Sequence, residues 1–461
     1  MNNSKIIGGL NSRREFLGTC GKMTSISMLS TLLQLKMTNS LLALNQNQLS
    51  GYKALVCVFL NGGNDSFNML TPWRNNEHND YLDVRGDLGL EKSDLLPIYD
   101  GTVSNFYGIH HKMPEVRTLY NQTDLAFVAN IGTLVRPTSL NDFNNDLHLP
   151  RALFSHAEQQ QSWQTSVPDQ VKQRGWIGRM AELINESGAN TGDVRMNIST
   201  AGNNLLQTGR NVNPLVISST GANTLGIYNS AGNVRNAINR SLSEDYRNTI
   251  KDHYNHIRKQ VIEQNQEFAD ATSSANINTV FPNTNLGRQL RQVALAIASR
   301  NILGARRQTF FVSMSGFDHH ADLIIGQESL LDELSSGLSA FNAAMKELGV
   351  HDRVTTYTAS DFGRSLTGNG DGTDHGWGGN QIVMGGAVNG RRLYGTYPSL
   401  RTGTNTDIGR GRQLPTTSVD QFHGELAHWY GIPNNGIMED ILPNIRNFWS
   451  NNAAPQLGFL D

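Results

Sequence analysis

Apolar residues in this chain gather into short unbroken runs, separated by polar stretches in which apolar positions recur at helical spacing. The first run is ALVCVFL, residues 54–60; a continuous apolar run of this length predicts a strand in the middle of a parallel sheet, covered on both faces. It ends in the loop Asn61-Gly62-Gly63-Asn64-Asp65-Ser66. Met113, Val116 and Leu119 then mark a helix, and Leu125 to Asn130 reads as the next strand. A helix from Leu286 to Ser299 feeds a strand from Thr309 to Met314, and the β-branched and aromatic residues Thr355 to Thr358 predict another. This alternation predicts an α/β fold, a three-layer α/β/α sandwich around a mostly parallel central sheet.

Two stretches are expected to lie outside that core. Residues 187–239 are rich in Asn, Gly and Ser and poor in apolar clusters, which predicts a surface insertion. Between Asn233 and Ala271, Tyr246, Ile250, Tyr254 and Ile257 stand at helical spacing and are expected to pack as a cover over a core. A further helix opens at Ser155, the expected N-cap, with Glu158 three residues on in the capping-box pattern. The Ser155 hydroxyl has two readings: a cap, or a nucleophile held where the helix dipole favours negative charge.

Length and charge narrow the function. The 461 residues carry a net charge of -2, enough chain for a large core and no sign of a nucleic-acid-binding surface. At the N-terminus, Ser12-Arg13-Arg14-Glu15-Phe16-Leu17 precedes a moderately apolar stretch from Met23 to Leu44 broken by Lys36. That is the pattern of a twin-arginine export signal. It predicts a signal peptide over residues 1–44, the twin-arginine translocase as a partner, a periplasmic or extracellular destination, and a single domain over residues 51–461. Membrane contact is expected only through the signal segment if it stays uncleaved. Cleavage would leave Cys57 as the one cysteine, so no intramolecular disulfide forms in the mature chain.

Three of the predicted strands run into acidic loops, at Asp65, Asp318 and Asp361, and a parallel sheet gathers such ends on one edge. Carboxylates collected there repel one another unless a cation or basic partners join them. In Gly316-Phe317-Asp318-His319-His320 the aspartate and the second histidine are two residues apart, so in extended chain both point one way while His319 points away. Asp361 opens a glycine-rich loop that returns through Asp374 and His375. His320 and His375 are suitable metal ligands, and Arg364 is the competing organic cation.

The segments VCVFLNGGNDSFNML, RALFSHAEQQQSWQ, GFDHH, TASDFGRS and GTDHGWGGNQIVMGG resemble an exported bacterial family, domain of unknown function 1501, which is itself similar to the alkaline phosphatase and sulfatase superfamily. The resemblance runs from about Leu55 to Trp429 and implies an alkaline-phosphatase-like fold with a metal site at the strand ends. It maps the first-strand acid to Asp65, the helix-capping nucleophile to Ser155, further ligands to Asp318, His320 and Asp361, and the last histidine to His375. It implies one or two divalent ions, Zn, Mg, Mn or Ca, and an anionic small-molecule or glycan substrate, a phosphate or sulfate ester. His156 or Arg364 would stabilise charge on the substrate oxygens, and Asp374 would orient His375.

Departures from the superfamily pattern matter as well. Phe362 stands where a second nitrogen ligand is expected, and the segment from Ser155 lacks the Pro and Arg of the sulfatase C/S-x-P-x-R motif. The rival reading is a non-catalytic exported binding or surface-assembly protein on the same fold, with a structural ion or none, and with Trp163, Trp377 and Tyr397 lining a groove. A Ser-His-Asp set from Ser155, His423 and Asp420 lacks the G-x-S-x-G elbow.

Overall fold

The run beginning at Ala54 becomes the strand β1 (Lys53–Asn61), whose seven inner residues are all buried. Its alternate side chains serve two faces. Val56, Val58 and Leu60 join the core formed with the helices Pro114–Asn121, Asn285–Ala298 and Leu323–Glu347, whereas Cys57 faces Tyr357, whose ring meets Phe422 of the helix Val419–Tyr430. A strand buried on both faces has no place for a polar alternate residue, which is why its sequence reads as a continuous apolar run. The computed structural model describes residues 49–100, 106–192, 196–224, 226, 228, 232–244 and 246–461. The expected signal segment lies outside the described residues, which all belong to one compact unit. Among them, no helix is long and apolar enough to cross a membrane.

Two small strand groups flank the main sheet. β2 (Leu70–Pro72), β3 (Leu95–Tyr99) and β4 (Phe106–His110) pair antiparallel as a three-stranded sheet. The principal sheet contains β1, β5 (Leu125–Gly132), β6 (Asn197–Ser199), β7 (Leu215–Val216), β8 (Arg307–Ser315) and β9 (Val354–Ser360). β10 (Arg364–Gly368) and β11 (Thr373–His375) form a separate antiparallel pair. β12 (Gly379–Met384), β13 (Leu393–Tyr394) and β14 (Thr417–Ser418) return to the principal sheet. Its order is β13-β5-β12-β9-β1-β8-β6-β7, with β14 beside β5, and all its pairings are parallel except those of β12 with β5 and β9. With helices on both faces, this is the expected three-layer α/β/α sandwich with a mostly parallel sheet.

β1 sits between β8 and β9, with Asn61 opposite Ser315 and Leu60 opposite Ser360. Their carboxyl ends therefore align on one edge. In an open parallel sheet that edge is where ligands bind.

Two expectations about the periphery change. Part of the stretch 187–239 supplies β6 and β7, and Asn197–Ser199 is wholly buried against β8. Two short strands at a sheet edge need few apolar residues, so composition gave no sign of them. The stripe expected to cover a core is exposed instead: Ile250 is 83% and Tyr254 57% accessible. The helix carrying it, Thr249–Ser273, buries only Asn265, Phe268 and Ala271. A helix of that length spans about 37 Å at 1.5 Å per residue, and its buried residues all lie in the C-terminal half.

Candidate metal centre

The loop after β8 is held along β1 by the Phe317 N–H, which donates to the Asn61 carbonyl at 3.1 Å. Gly62 permits the approach. Its φ is +115°, and a Cβ there would lie 2.4 Å from the Asp318 nitrogen. On the other side of β1, the glycine-rich excursion after β9 folds into the β10–β11 pair with Arg364 opposite His375, which returns His375 to the end of β9. The helix His156–Thr165 packs near β9 and presents His156 in its first turn.

These elements bring three imidazoles and one carboxylate together. His156 Nε2 lies 3.1 Å from His375 Nε2 and 3.3 Å from Asp318 Oδ2, and His375 Nε2 lies 3.4 Å from Asp318 Oδ1. His320 joins from the solvent side, its Nε2 2.9 Å from His375 Nε2 and 3.1 Å from Asp318 Oδ1. Donors around one tetrahedral ion with bonds of about 2.0–2.1 Å stand about 3.3 Å apart. The observed spacings match that edge, and His156, Asp318 and His375 form a group suited to hold a metal ion.

The outer nitrogens show which ring atoms are free to bind. His375 Nδ1 faces the Phe154 carbonyl at 2.7 Å, an acceptor only, so Nδ1 carries the proton. His156 Nδ1 faces Asp361 Oδ2 at 2.7 Å and must likewise donate. In their neutral forms both rings then turn Nε2 lone pairs toward each other, an arrangement that repels unless a positive charge lies between them. Burial pushes His375 below the ordinary histidine range; the Phe154 hydrogen bond opposes this, and the neighbouring His156 and Arg364 charges add to it. Asp361 Oδ1 is buried without a partner among the described residues, so the charge of that carboxylate also seeks compensation through His156. Imidazoles pinned by a carboxylate and a backbone carbonyl are the usual outer arrangement of metal ligands. The residues present fit a metal ion.

Several expected roles shift. Asp361 is a hydrogen-bond acceptor for His156 and for Gln160 Nε2 at 2.9 Å rather than a member of the converging set. Asp65 lies outside the converging set, fully buried and ion-paired with Arg85. Arg364 is turned to Asp318 and the loops beside it. Its side chain is buried, donating to Asp318 Oδ1 at 2.6 Å, to the Gly62 carbonyl, and to Thr373 through its hydroxyl and carbonyl. Partial burial works against the Asp318 charge, but Arg364's hydrogen bond and charge, with His156 and His320, hold its carboxyl below the usual carboxylate range. Asp374 approaches His320 Nδ1, at 3.7 Å, and pairs with Arg410; it does not orient His375.

His319 points away from the centre, against Gly326. Ser155 does occupy the N-cap, but its side chain makes no capping bond, so the capping box with Glu158 is absent. Phe362 packs its ring on His156 and His375, with centroids 4.8 and 4.6 Å away. His423, the alternative catalytic histidine, is buried, bonded to Ser166 Oγ at 2.7 Å and stacked on Trp176. Trp163 and Trp377 are core residues, 2% and 1% accessible, not the walls of a groove.

His156 as a ligand and Gln160 as its neighbour were not foreseen in those roles. The available signal was their spacing, one helical turn apart directly after a candidate N-cap, which lets both reach the same Asp361 oxygen.

The family described as Protein of unknown function (DUF1501) matches residues 52–441. The chain belongs to that family. The match takes in all four members of the cluster. No curated protein matches the chain. Among solved structures, it is similar to Ps i-CgsB in complex with k-i-k-neocarrahexaose, at 10% identity over 86% of this chain and 77% of that one, with a TM-score of 0.35. It is also similar to the C-terminal periplasmic domain of EcEptC from Escherichia coli, at 9% identity over 83% of each chain, with a TM-score of 0.33. Scores this low leave the chemistry of this family member to be read from its own residues.

Proposed function

We propose that this protein is an exported metal-dependent hydrolase of anionic esters, phosphate or sulfate, with Ser155 as the nucleophile. The convergence of His156, His375 and Asp318, with His320 beside them, carries the reading. Two or three imidazoles with one carboxylate favour zinc or a similar transition ion over magnesium or calcium, which prefer all-oxygen shells. Such an ion, when bound, lowers the pKa of a hydroxyl beside it and stabilises charge on the leaving oxygen.

The chain's own residues do the rest. Ser155 heads the helix His156–Thr165, so an anionic ester beside it meets unpaired backbone N–H groups and the positive end of the helix dipole. Its hydroxyl is not spent on capping. Arg364 keeps Asp318 ionised, while Asp361, Gln160 and the Phe154 carbonyl fix the rings of His156 and His375. Attack by Ser155 Oγ forms a bond to phosphorus or sulfur as the bond to the ester oxygen breaks. That oxygen leaves with the electron pair and takes up, through solvent, the proton the Ser155 hydroxyl gives up. A water then cleaves the Ser155 ester, releasing phosphate or sulfate and restoring the hydroxyl.

The test pairs metal analysis of the purified protein with a panel of aryl phosphate monoesters, diesters and sulfates. We expect close to one transition ion per chain and turnover of at least one class, and Ser155→Ala should lower kcat about a thousandfold or more while retaining the metal. Bound metal without turnover on any ester would favour the binding-protein reading. Export rests on Ser12 to Leu17, and the exported protein should start beyond residue 44 by N-terminal sequencing; a chain recovered only from the cytoplasm would refute the route.

A further inference from the structure

The carboxyl edge of the sheet holds a second feature next to the metal-ligand cluster. A cavity of about 330 Å³ opens where β6, β7 and β8 end, bounded by the helices Asn285–Ala298 and Leu323–Glu347. Ser315 ends β8 and lines it, and Asp318 follows three residues later, so at most about 11 Å of extended chain separates cavity wall and cluster.

Its chemistry is specific. The polar walls are Thr200, Ser219, Asn285, Gln289, Ser313 and Ser315, and Met314 and Leu330 add an apolar surface. Gln289 is held by three bonds: its Oε1 accepts from Thr200 Oγ1 at 2.9 Å and from Ser313 N at 3.1 Å, and its Nε2 donates to Ser313 O at 2.9 Å. That makes a rigid floor. Glu333 is the one charged lining residue among the described residues, and its Oε1 accepts the Leu286 N–H at 2.7 Å, so it serves the start of the helix. The side chains of Ser219, Asn285, Ser313 and Ser315 take no protein hydrogen bond among the described residues and are open to an occupant. Among the described residues no Lys or Arg lines it to hold a second anion, and no aromatic ring to stack a planar base.

Neutral donors and acceptors spread around a small apolar surface match a ring that carries many hydroxyls and few charges. We propose that this cleft is the subsite for the alcohol portion of the ester, a sugar or cyclic polyol, whose anionic group reaches the cluster; this rests on the hydrolase reading above. The volume lies at the lower end of ligand pockets, about 300–1,000 Å³, and suits one or two rings rather than a long polymer.

Two probes separate this inference from the reading beneath it. Methyl glucoside, galactoside and mannoside, tested by saturation-transfer NMR, need no metal; contact with at least one is expected, and Ser219→Trp and Asn285→Trp, which fill the cleft, should each abolish it. On metal-loaded protein, calorimetry should show glucose 6-phosphate binding at least about tenfold tighter than inorganic phosphate, with the gain lost in both Trp variants. No contact from any hexoside, or contact unchanged in both folded variants, overturns the subsite. Sugar contact with no phosphate binding would overturn the hydrolase reading alone.

Discussion

His375→Ala is expected to abolish the proposed metal binding and ester hydrolysis together, because His375 is the donor nearest to both neighbouring imidazoles, at 3.1 Å from His156 and 2.9 Å from His320. Loss of one of three or four ligands should weaken metal affinity by well over a hundredfold and lower kcat/KM by about a thousandfold or more. The protein itself should survive, since His375 is half-buried at the sheet edge and its removal leaves one carbonyl, that of Phe154, to be met by water. Asp361→Asn forms the graded companion. It keeps the shape but weakens the acceptor that pins His156, and outer-partner changes of this kind cost about 10–100-fold in metal affinity. Metal per chain by mass spectrometry, with far-ultraviolet dichroism as a folding control, checks both. Stoichiometric metal in His375→Ala would remove the centre from consideration.

Asp65→Ala should act on stability and leave metal binding alone. Asp65 and Arg85 are ion-paired with both side chains fully buried, and Arg85 also donates to the Ser365 and Leu366 carbonyls. Removing the carboxylate strands a guanidinium away from water, a change that costs about 3–5 kcal/mol when one member of a buried pair is deleted. The double replacement Asp65→Leu with Arg85→Met should recover much of that loss, since two apolar side chains of similar volume carry no desolvation penalty. Urea denaturation of the single and double variants measures both. A loss under about 1 kcal/mol, or lost metal in a folded Asp65→Ala protein, would return Asp65 to the centre.

These variants touch the acids that looked alike in the linear chain. Asp65, Asp318 and Asp361 each follow an apolar strand, and each was a candidate ligand on that ground. The structure gives them three different partners: Arg85 for Asp65, the converging imidazoles and Arg364 for Asp318, and His156 with Gln160 for Asp361. Arg85 lies on the polar helix Asn75–Arg85, where nothing in the local pattern marks it as an interior residue. The exchange of roles between His156 and Asp361 was equally hidden. Whether a carboxylate or an imidazole faces the centre depends on how a helix far away in sequence docks on β9.

The long central strands β1, β5, β8 and β9 were determined by sequence alone, because runs such as 54–60 have no use except burial on both faces, and burial on both faces places a strand inside a parallel sheet. The strand-end positions of Asp318 and His320 followed from those runs, and their i, i+2 spacing correctly separated them from His319. Tertiary structure decided which atoms meet. The β10–β11 pairing carried His375 back to β9, Gly62 admitted the Asp318 loop, and the docking of His156–Thr165 supplied the third imidazole. Those are contacts between segments tens to hundreds of residues apart, made within a few tenths of an ångström. Periodicity and composition describe a segment's own preferences, and they are silent about the distant side chain that will share its site.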